Sequence, residues 1–463
     1  MSPFAPTDDP PALQSALKQR HMTMISLGGV IGAGMFVGSR VVIQSAGPAS
    51  ALSFLLTGAL VVMVMRMLGE MASAMPAVGS FYEYARRALG VGAGFVTGWM
   101  YWYFWVIVVA IEAVAGADLI RFWIPAAPEW ALCLALLTIM TLSNLVSVRA
   151  YGEFEFWFAS IKVAAITLFL IFGGAYVLGL WPGFHPHVDN LWSHGGFAPN
   201  GLLPVLTGAV AATGFYFGAE IVTIAAAEAQ EPAKSVAKAT NAVIGRVLVF
   251  YVGSIVLIVA IVPWNAAGMT TPYVSALKVI GLPAAADVMN LVILSAVLSA
   301  LNSVLYASSR ILFALTRNGD APKGLAYVNK RGVPVPAILI GTLFGYAAVV
   351  MSFVSPGVVF AFLINSYGTV ALFVYMLIAL SQLRLRRRLE AEAPGRLTVR
   401  MWFFPYLTYA SLIAMGAVLA AMAFIPDQRA PLAMGVISLL ALILVDRLRP
   451  GRPASAALLT RQG

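Results

Sequence analysis

Three ionisable residues lie deep in apolar runs, where a charge is expensive. Glu112 sits in Val106-Ile107-Val108-Val109-Ala110-Ile111-Glu112-Ala113-Val114, and Lys162 in Phe158-Ala159-Ser160-Ile161-Lys162-Val163-Ala164-Ala165. Glu220 closes the run Thr213-Gly214-Phe215-Tyr216-Phe217-Gly218-Ala219-Glu220. Facing lipid, each would cost at least ~3 kcal/mol. They must therefore face the interior of a helix bundle, or water. Burial opposes charge and an opposite charge restores it, so such groups suit proton or solute handling. A structural ion pair between Lys162 and an acid is the plainer alternative, and the functional reading is favoured over it. Glu153 and Glu155 lie nearer the end of their run and are expected to be solvated or interfacial.

A second constellation consists of backbone. Gly28-Gly29-Val30-Ile31-Gly32-Ala33-Gly34-Met35-Phe36 places four glycines in seven residues. Each weakens a helix by up to ~1 kcal/mol. Close helix packing would spread small residues along one face. Clustering fits an unwound segment better, and unwound backbone survives in a membrane only where it lines a cavity or is buried in protein. Such a break leaves N–H groups free at the start of a half-helix, which attracts a carboxylate without any arginine. The run from Thr213 to Glu220 is a comparable interruption, with glycines on both sides of Phe215, Tyr216 and Phe217. Ser299, Asn302 and Ser303 add polar atoms to another apolar run, where helix contact is slightly favoured over solute contact.

These groups need elements to hold them. The 463 residues are 60% hydrophobic and 10% charged, with mean hydropathy +0.88. A soluble chain carries about 25% charged residues, so this surface must face lipid. Runs of about 20 apolar residues, enough to span ~30 Å as helix, fall at 22–45, 50–72, 94–120, 130–148, 156–180, 201–227, 242–263, 286–312, 335–353, 357–380, 404–424 and 430–447. With the N-terminus inside and strict alternation, only Arg40, Arg121, Lys278 and Arg429 of the 29 Lys and Arg fall outside. Lys162 lies within a span and the rest fall inside. That bias supports twelve spans with both termini cytoplasmic. It also explains the net charge of +10 without nucleic acid. Residues 1–20 lack the pattern of a signal peptide. The single cysteine, Cys133, excludes an internal disulfide and a thiolate metal cage. His185, His187 and His194 share one outer loop, but no acidic or Cys ligand set accompanies them, so incidental histidines are the favoured reading.

Glycine-interrupted spans in positions one and six suggest inverted repeats of five helices, with the breaks meeting at the bilayer midplane around a solute. The expected organisation is an all-α polytopic membrane protein. A tail covers 1–21 and a transport domain covers 22–448. Within that domain lie repeats at about 22–180 and 201–380 and extra helices at 404–447. A tail covers 449–463.

The segment Gly29-Val30-Ile31-Gly32-Ala33-Gly34-Met35-Phe36-Val37-Gly38-Ser39 resembles the first-helix signature of the amino acid–polyamine–organocation superfamily. Ala46-Gly47-Pro48, Arg66-Met67-Leu68-Gly69-Glu70-Met71, Tyr151-Gly152-Glu153-Phe154-Glu155-Phe156-Trp157 and Gly218 to Glu228 look like its amino acid permease branch. Leu191-Trp192, Gly195-Gly196-Phe197 and Pro199-Asn200-Gly201 are most similar to bacterial gamma-aminobutyrate permeases. The resemblance runs from about Leu17 to the last span. It implies a leucine-transporter-type fold in the bacterial inner membrane, with alternating access and proton-driven amino acid import. It implies no cofactor and no metal. Backbone around Ile31, Gly32, Ala33 and Gly34 is implied to bind the solute carboxylate, and Phe215 to Glu220, including Ala219, to line and gate the pocket. Lys162 resembles a lysine that stands in place of a sodium ion in proton-coupled relatives. The permeases commonly have an aromatic where this chain has Gly214, so the gate is expected to be shifted or the pocket enlarged.

The partners expected are thus an amino acid, a proton and the bilayer. The solute ammonium needs acceptors, for which Glu112 and Glu220 are the candidates, with Lys162 and Glu220 in proton coupling. The alternatives are another neutral, aromatic or basic amino acid, an exchanger, or a sensor. No nucleophile elbow or phosphate loop stands at credible spacing for an enzyme.

Overall fold

In hydrocarbon the backbone must satisfy its own hydrogen bonds, so long apolar runs fold as helices. The computed structural model describes residues 16–449 except 29, 30, 33, 78, 181–187, 267, 268, 270 and 355. The tails expected at 1–21 and 449–463 fall mostly outside the described residues. Among the described residues there is no strand, only an isolated bridge between Leu17 and Ala229.

In chain order the helices begin with α1 (Gln19–Gly28), α2 (Ser39–Ala46), α3 (Ser50–Ala74), α4 (Phe81–Leu89) and α5 (Val91–Arg121). Then come α6 (Glu129–Val146), α7 (Val148–Val177), α8 (Leu203–Tyr216), α9 (Ile221–Ala225), α10 (Pro232–Val247) and α11 (Ser254–Ile261). The chain continues with α12 (Pro272–Val279), α13 (Pro283–Arg317), α14 (Val335–Val354), α15 (Pro356–Glu392), α16 (Tyr406–Phe424) and α17 (Pro426–Leu448). Among the described residues, ten stretches are long and apolar enough to cross a bilayer. Gly34–Ala74 runs together the second part of the first expected segment and the whole of the second, and Val335–Met351 is shorter than the others. The segment expected at 242–263 begins earlier than its apolar run. It enters as α10 from Pro232 and passes through a π-helical turn, Leu248–Gly253, into α11.

Local chemistry sets several boundaries. Only Ser147 separates α6 from α7; its extended backbone breaks the helix and its hydroxyl accepts the Ala150 N–H at 3.0 Å, an N-cap that starts α7. Proline stands in the first turn of α8, α12 and α17, where its missing N–H costs nothing.

The bundle inverts the pattern of a soluble protein. Ile139 and Leu142 on α6, Ile171 on α7, Val350 on α14, Ile413 on α16 and Leu440 on α17 are all more than half exposed. An apolar outer face of that extent belongs against lipid. Polar groups turn inward, and α5 and α13 pack together at the centre.

At the end that carries most of the arginines, two buried carboxylates tie helices together. Asp320, just past α13, accepts from Tyr82 Oη on α4 at 2.7 Å, Arg86 Nη1 on α4 at 2.8 Å and Arg449 Nη2 at 2.8 Å. Glu70 on α3 is fully buried. It pairs with Arg386 on α15 and accepts from Gln382 Nε2 at 2.8 Å and the Met401 N–H at 2.6 Å. Without Glu70, Arg386 keeps only the half-exposed Glu390, at 2.8 Å, and the Gln382 amide and the Met401 N–H lose their acceptor. Glu70→Ala is therefore expected to destabilise the fold by ~1–3 kcal/mol. A thermal melt in detergent would show it, and Arg386→Met in the same background should recover much of the loss.

Candidate functional site

The two glycine-rich segments are both interrupted. Helix α1 ends at Gly28; Ile31 and Gly32 are not helical; a π-helical turn, Gly34–Gly38, then leads into α2. Gly29, Val30 and Ala33 lie outside the described residues. Ile31 N–H reaches back to Gly28 O at 3.2 Å, and Met35 N–H to Gly32 O at 3.2 Å. Among the described residues, no backbone oxygen receives the N–H groups of Gly32 and Gly34.

The second break separates α8 from α9. Phe217 is extended and Gly218 has φ +117°, a region that favours glycine. Glu220 folds back over this turn. Its Oε1 and Oε2 lie 3.2 and 3.1 Å from the Gly218 N–H, and Oε1 accepts from Tyr101 Oη at 3.1 Å. Tyr216 donates to Phe54 O at 2.9 Å. The Phe217 ring packs against Phe104 at 4.1 Å and Tyr375 at 4.9 Å between ring centres. Ala219 is wholly buried in the turn.

Between the breaks lies a cavity of about 410 Å³. It runs from Gly32, Glu112, Ala300 and Ser303 past Phe104, Trp105, Gly214, Phe215 and Phe217 toward Thr369, Gln428 and Pro431. The sequence expectations thus divide. Gly32, Gly34, Glu112, Phe215, Phe217 and Ser303 line the cavity. Ile31, Tyr216, Ala219 and Glu220 lie behind the lining, as do Lys162, Ser299 and Asn302. Glu112 approaches the first break closely: a Cβ on Gly32 would lie 3.3 Å from its Oε1. Phe215 lies flat on the half-helix after that break. A Cβ on Gly34 would come 2.5 Å from its Cδ1, and one on Gly38 2.7 Å from its Cζ. These glycines are close-approach positions as well as helix breakers. Tyr251 holds the turn from outside by donating to Phe215 O at 2.9 Å.

Behind the first break, Lys162 on α7 donates to Gly28 O at 2.6 Å and Ile31 O at 2.8 Å. Glu155 corrects the sequence expectation. It is fully buried, not solvated, and Ser299 Oγ lies 2.7 and 2.8 Å from its two oxygens. The reason is that α7 already starts at Val148, so Glu155 is two turns inside and covered by α1 and α13. Glu153 is interfacial, pairing with Arg20 and lying 3.2 Å from His21 Nε2. Asn302 is a helix contact: its Oδ1 accepts from Asn144 Nδ2 at 2.8 Å and Ser143 Oγ at 3.2 Å. In the outer loop, His185 and His187 lie outside the described residues; the backbone oxygen of His194 accepts from Trp264 Nε1 at 3.0 Å.

The opposite end of the bundle is closed. Tyr151 and Tyr306 stack with centres 4.0 Å apart, and buried Glu228 accepts from Tyr306 Oη at 3.0 Å and Arg310 Nε at 2.8 Å. The segment before α1 lies across this end, where Leu17 N–H reaches Glu228 O at 3.0 Å.

A family model described as amino acid permease matches residues 21–446. The chain belongs to the amino acid permease family. It is a multi-pass membrane transporter, not an enzyme. A gamma-aminobutyric acid permease from Bacillus subtilis is 50% identical over 96% of this chain and 96% of its own length. One from Escherichia coli is 45% identical over 91% of both chains. An aromatic amino acid transport protein of Escherichia coli is 38% identical over 90% of this chain and 91% of its own. Among solved structures, a mutant of the manganese transporter from Eremococcus coleocola matches with TM-score 0.60 at 11% identity, covering 93% of both chains. That likeness shows the fold alone, an all-helical fold shared with that transporter.

Sequence reasoning missed Trp105, Thr369, Gln428 and Pro431 as lining residues. The aromatic run Trp99-Met100-Tyr101-Trp102-Tyr103-Phe104-Trp105 was a visible signal for the first; the others carry no local mark.

The fit of Phe215 on Gly34 is testable in this permease. Gly34→Ala drives a methyl into the ring at an overpacking cost of ~1–3 kcal/mol, which, drawn from the binding energy, is about 5- to 150-fold in affinity. Amino acid uptake at low concentration should fall accordingly at an unchanged membrane level. Phe215→Ala added to Gly34→Ala should relieve part of the defect.

Proposed function

We propose that this permease imports gamma-aminobutyrate, or a related small amino acid, together with protons by alternating access. The observation that carries the reading is the cavity between two interrupted helices, with the backbone of Gly32 and Gly34 and the Glu112 side chain in its lining. The solute carboxylate docks on the N–H groups of Gly32 to Gly34, at the positive end of the half-helix leading into α2. An alpha-amino acid would return its ammonium to nearby backbone carbonyls. Gamma-aminobutyrate is longer, so its ammonium lands farther off, where a carboxylate is needed. Glu112 faces the cavity and takes that role. Glu220 acts one step removed, because its carboxylate holds the second break and so places Phe215 and Phe217. Identity of 45–50% to gamma-aminobutyrate permeases over most of the chain supports the substrate class.

In this reading the chain has twelve spans, two inverted five-helix repeats and a final pair, with both termini cytoplasmic. The cavity reaches toward the turn between α16 and α17, which is then the outer face. The Glu228–Arg310 pair and the stacked Tyr151 and Tyr306 close the inner face, so the molecule is outward-facing. Lys162 couples protons by changing its partners as α1 moves. A gradient can drive the cycle only if binding differs between the two states.

The size and aromatic lining of the cavity favour one second reading, a bulkier amino acid. The deciding measurement is radiolabelled gamma-aminobutyrate uptake into proteoliposomes under an imposed pH gradient, with unlabelled amino acids as competitors. The proposal expects accumulation driven by external acid, displaced best by gamma-aminobutyrate itself. Better displacement by an aromatic amino acid would reassign the substrate. Glu112→Gln should weaken gamma-aminobutyrate binding by about tenfold or more, since a hydrogen bond to a charged group contributes ~1.5–3 kcal/mol. Unchanged affinity would remove Glu112 from the site. Lys162→Ala should lose gradient-driven accumulation.

A further inference from the structure

The buried carboxylate of Glu155 has no role in the account so far, and its position relative to Lys162 is specific. Seven residues separate the two on α7, two helical turns, so both side chains project from the same face. Both are fully buried. Yet they form no ion pair. Lys162 donates hydrogen bonds to Gly28 O and Ile31 O, and Glu155 accepts one from the hydroxyl of Ser299. What stands between them is the end of α1. A Cβ on Gly28 would collide with Glu155 Oε1 and Ala159 Cβ, and would lie 3.4 Å from Lys162 Nζ. The end of α1 thus occupies the gap, and its Gly28 carbonyl and that of Ile31 in the break compete with Glu155 for the ammonium.

We propose that Glu155 carries the coupled proton, and that docking and undocking of α1 switches Lys162 between the carbonyls of the first break and the Glu155 carboxylate. This rests on the proton-symport reading above and names the group that holds the proton. With α1 docked, Lys162 is satisfied by backbone, and Glu155 is a buried acid without a cation in contact. A buried acid in that position takes up a proton, because an isolated buried charge is costly. The proton enters from the cavity side and forms an O–H bond on Glu155. When α1 moves away, Lys162 loses both carbonyls. Its nearest anion on the same rigid helix is Glu155, and the ion pair that forms expels the proton to inner water. Lys162 stays an ammonium throughout, so charge and protons balance over the cycle. The other groups facing this pair are Glu112 from α5, which acts on Lys162, Ser299 and Ser303 from α13, and Tyr151 one turn before Glu155. Glu112 already faces the solute cavity, which leaves Glu155 as the acid whose access to Lys162 depends on α1.

The test uses the full chain in proteoliposomes with radiolabelled gamma-aminobutyrate, or with whichever amino acid the parent protein prefers. Parent protein that takes up solute without moving protons would sink the symport reading itself, whatever Glu155 does. Given a proton-coupled parent, Glu155→Gln should keep solute counterflow within about threefold. It should lose accumulation under a pH gradient and lose solute-linked acidification of a trapped dye. Accumulation that persists in Glu155→Gln overturns the proposal. Should Glu155→Gln fail to move solute at all, equilibrium binding in detergent decides. Binding by the parent should strengthen as pH falls, and in Glu155→Gln it should be independent of pH. In Glu155→Asp the dependence should return with a displaced midpoint. Unaltered pH dependence in either variant means that the proton sits elsewhere.

Discussion

A peptide group in hydrocarbon must find a hydrogen-bond partner, and this structure suspends that requirement twice. Each lapse is repaired by one buried ionisable side chain. At the first break Lys162 clasps the carbonyls of Gly28 and Ile31, beside the single backbone bond from the Ile31 N–H to Gly28 O. At the second, Glu220 clasps the Gly218 N–H. A donor is suited to the end of a half-helix that presents oxygens, and an acceptor to a turn that presents N–H groups. The choice of lysine at one break and of a carboxyl group at the other follows from that difference. Between these repairs the backbone of Gly32 and Gly34 lines the cavity.

That constraint shapes the surroundings. Phe215 can cover the half-helix after the first break because Gly34 and Gly38 offer no side chain. The cavity is then bounded by aromatic faces and by the glycine backbone itself, with Glu112 and Ser303 as its polar exceptions nearest the first break. Distant carboxylates serve another purpose. Glu70, Asp320 and Glu228 each hold a cation from a helix other than their own at the arginine-rich end. They tie α3 to α15, α4 to the end of α13, and the second broken helix to α13. The same residue type therefore shapes the cavity wall at mid-depth and fastens helices at one end.

The family match gives these features a setting, since the chain is an amino acid permease and its fold is shared with a metal-ion transporter at 11% identity. At that distance in sequence the architecture persists while the cargo differs.

Much of this was legible in the order of residues alone. Apolar length and the distribution of arginine and lysine mark out helices in a bilayer. Clustered glycines mark where two of them come apart, and the isolated charges Glu112, Lys162 and Glu220 mark what must be interior. These are local signals, because each depends on the transfer cost of a short stretch of chain. Which interior groups meet was another matter. Nothing near Glu155 reveals that α1 and α13 cover it, and nothing near Thr369, Gln428 or Pro431 reveals that they reach the cavity. Glu220 reads as a solute ligand until the turn is folded and its oxygens are taken by Gly218 and Tyr101. Contacts between segments a hundred or more residues apart are decided by how helices cross and which faces they present. That geometry is set by packing summed over the whole bundle, so it exists only once the chain has folded.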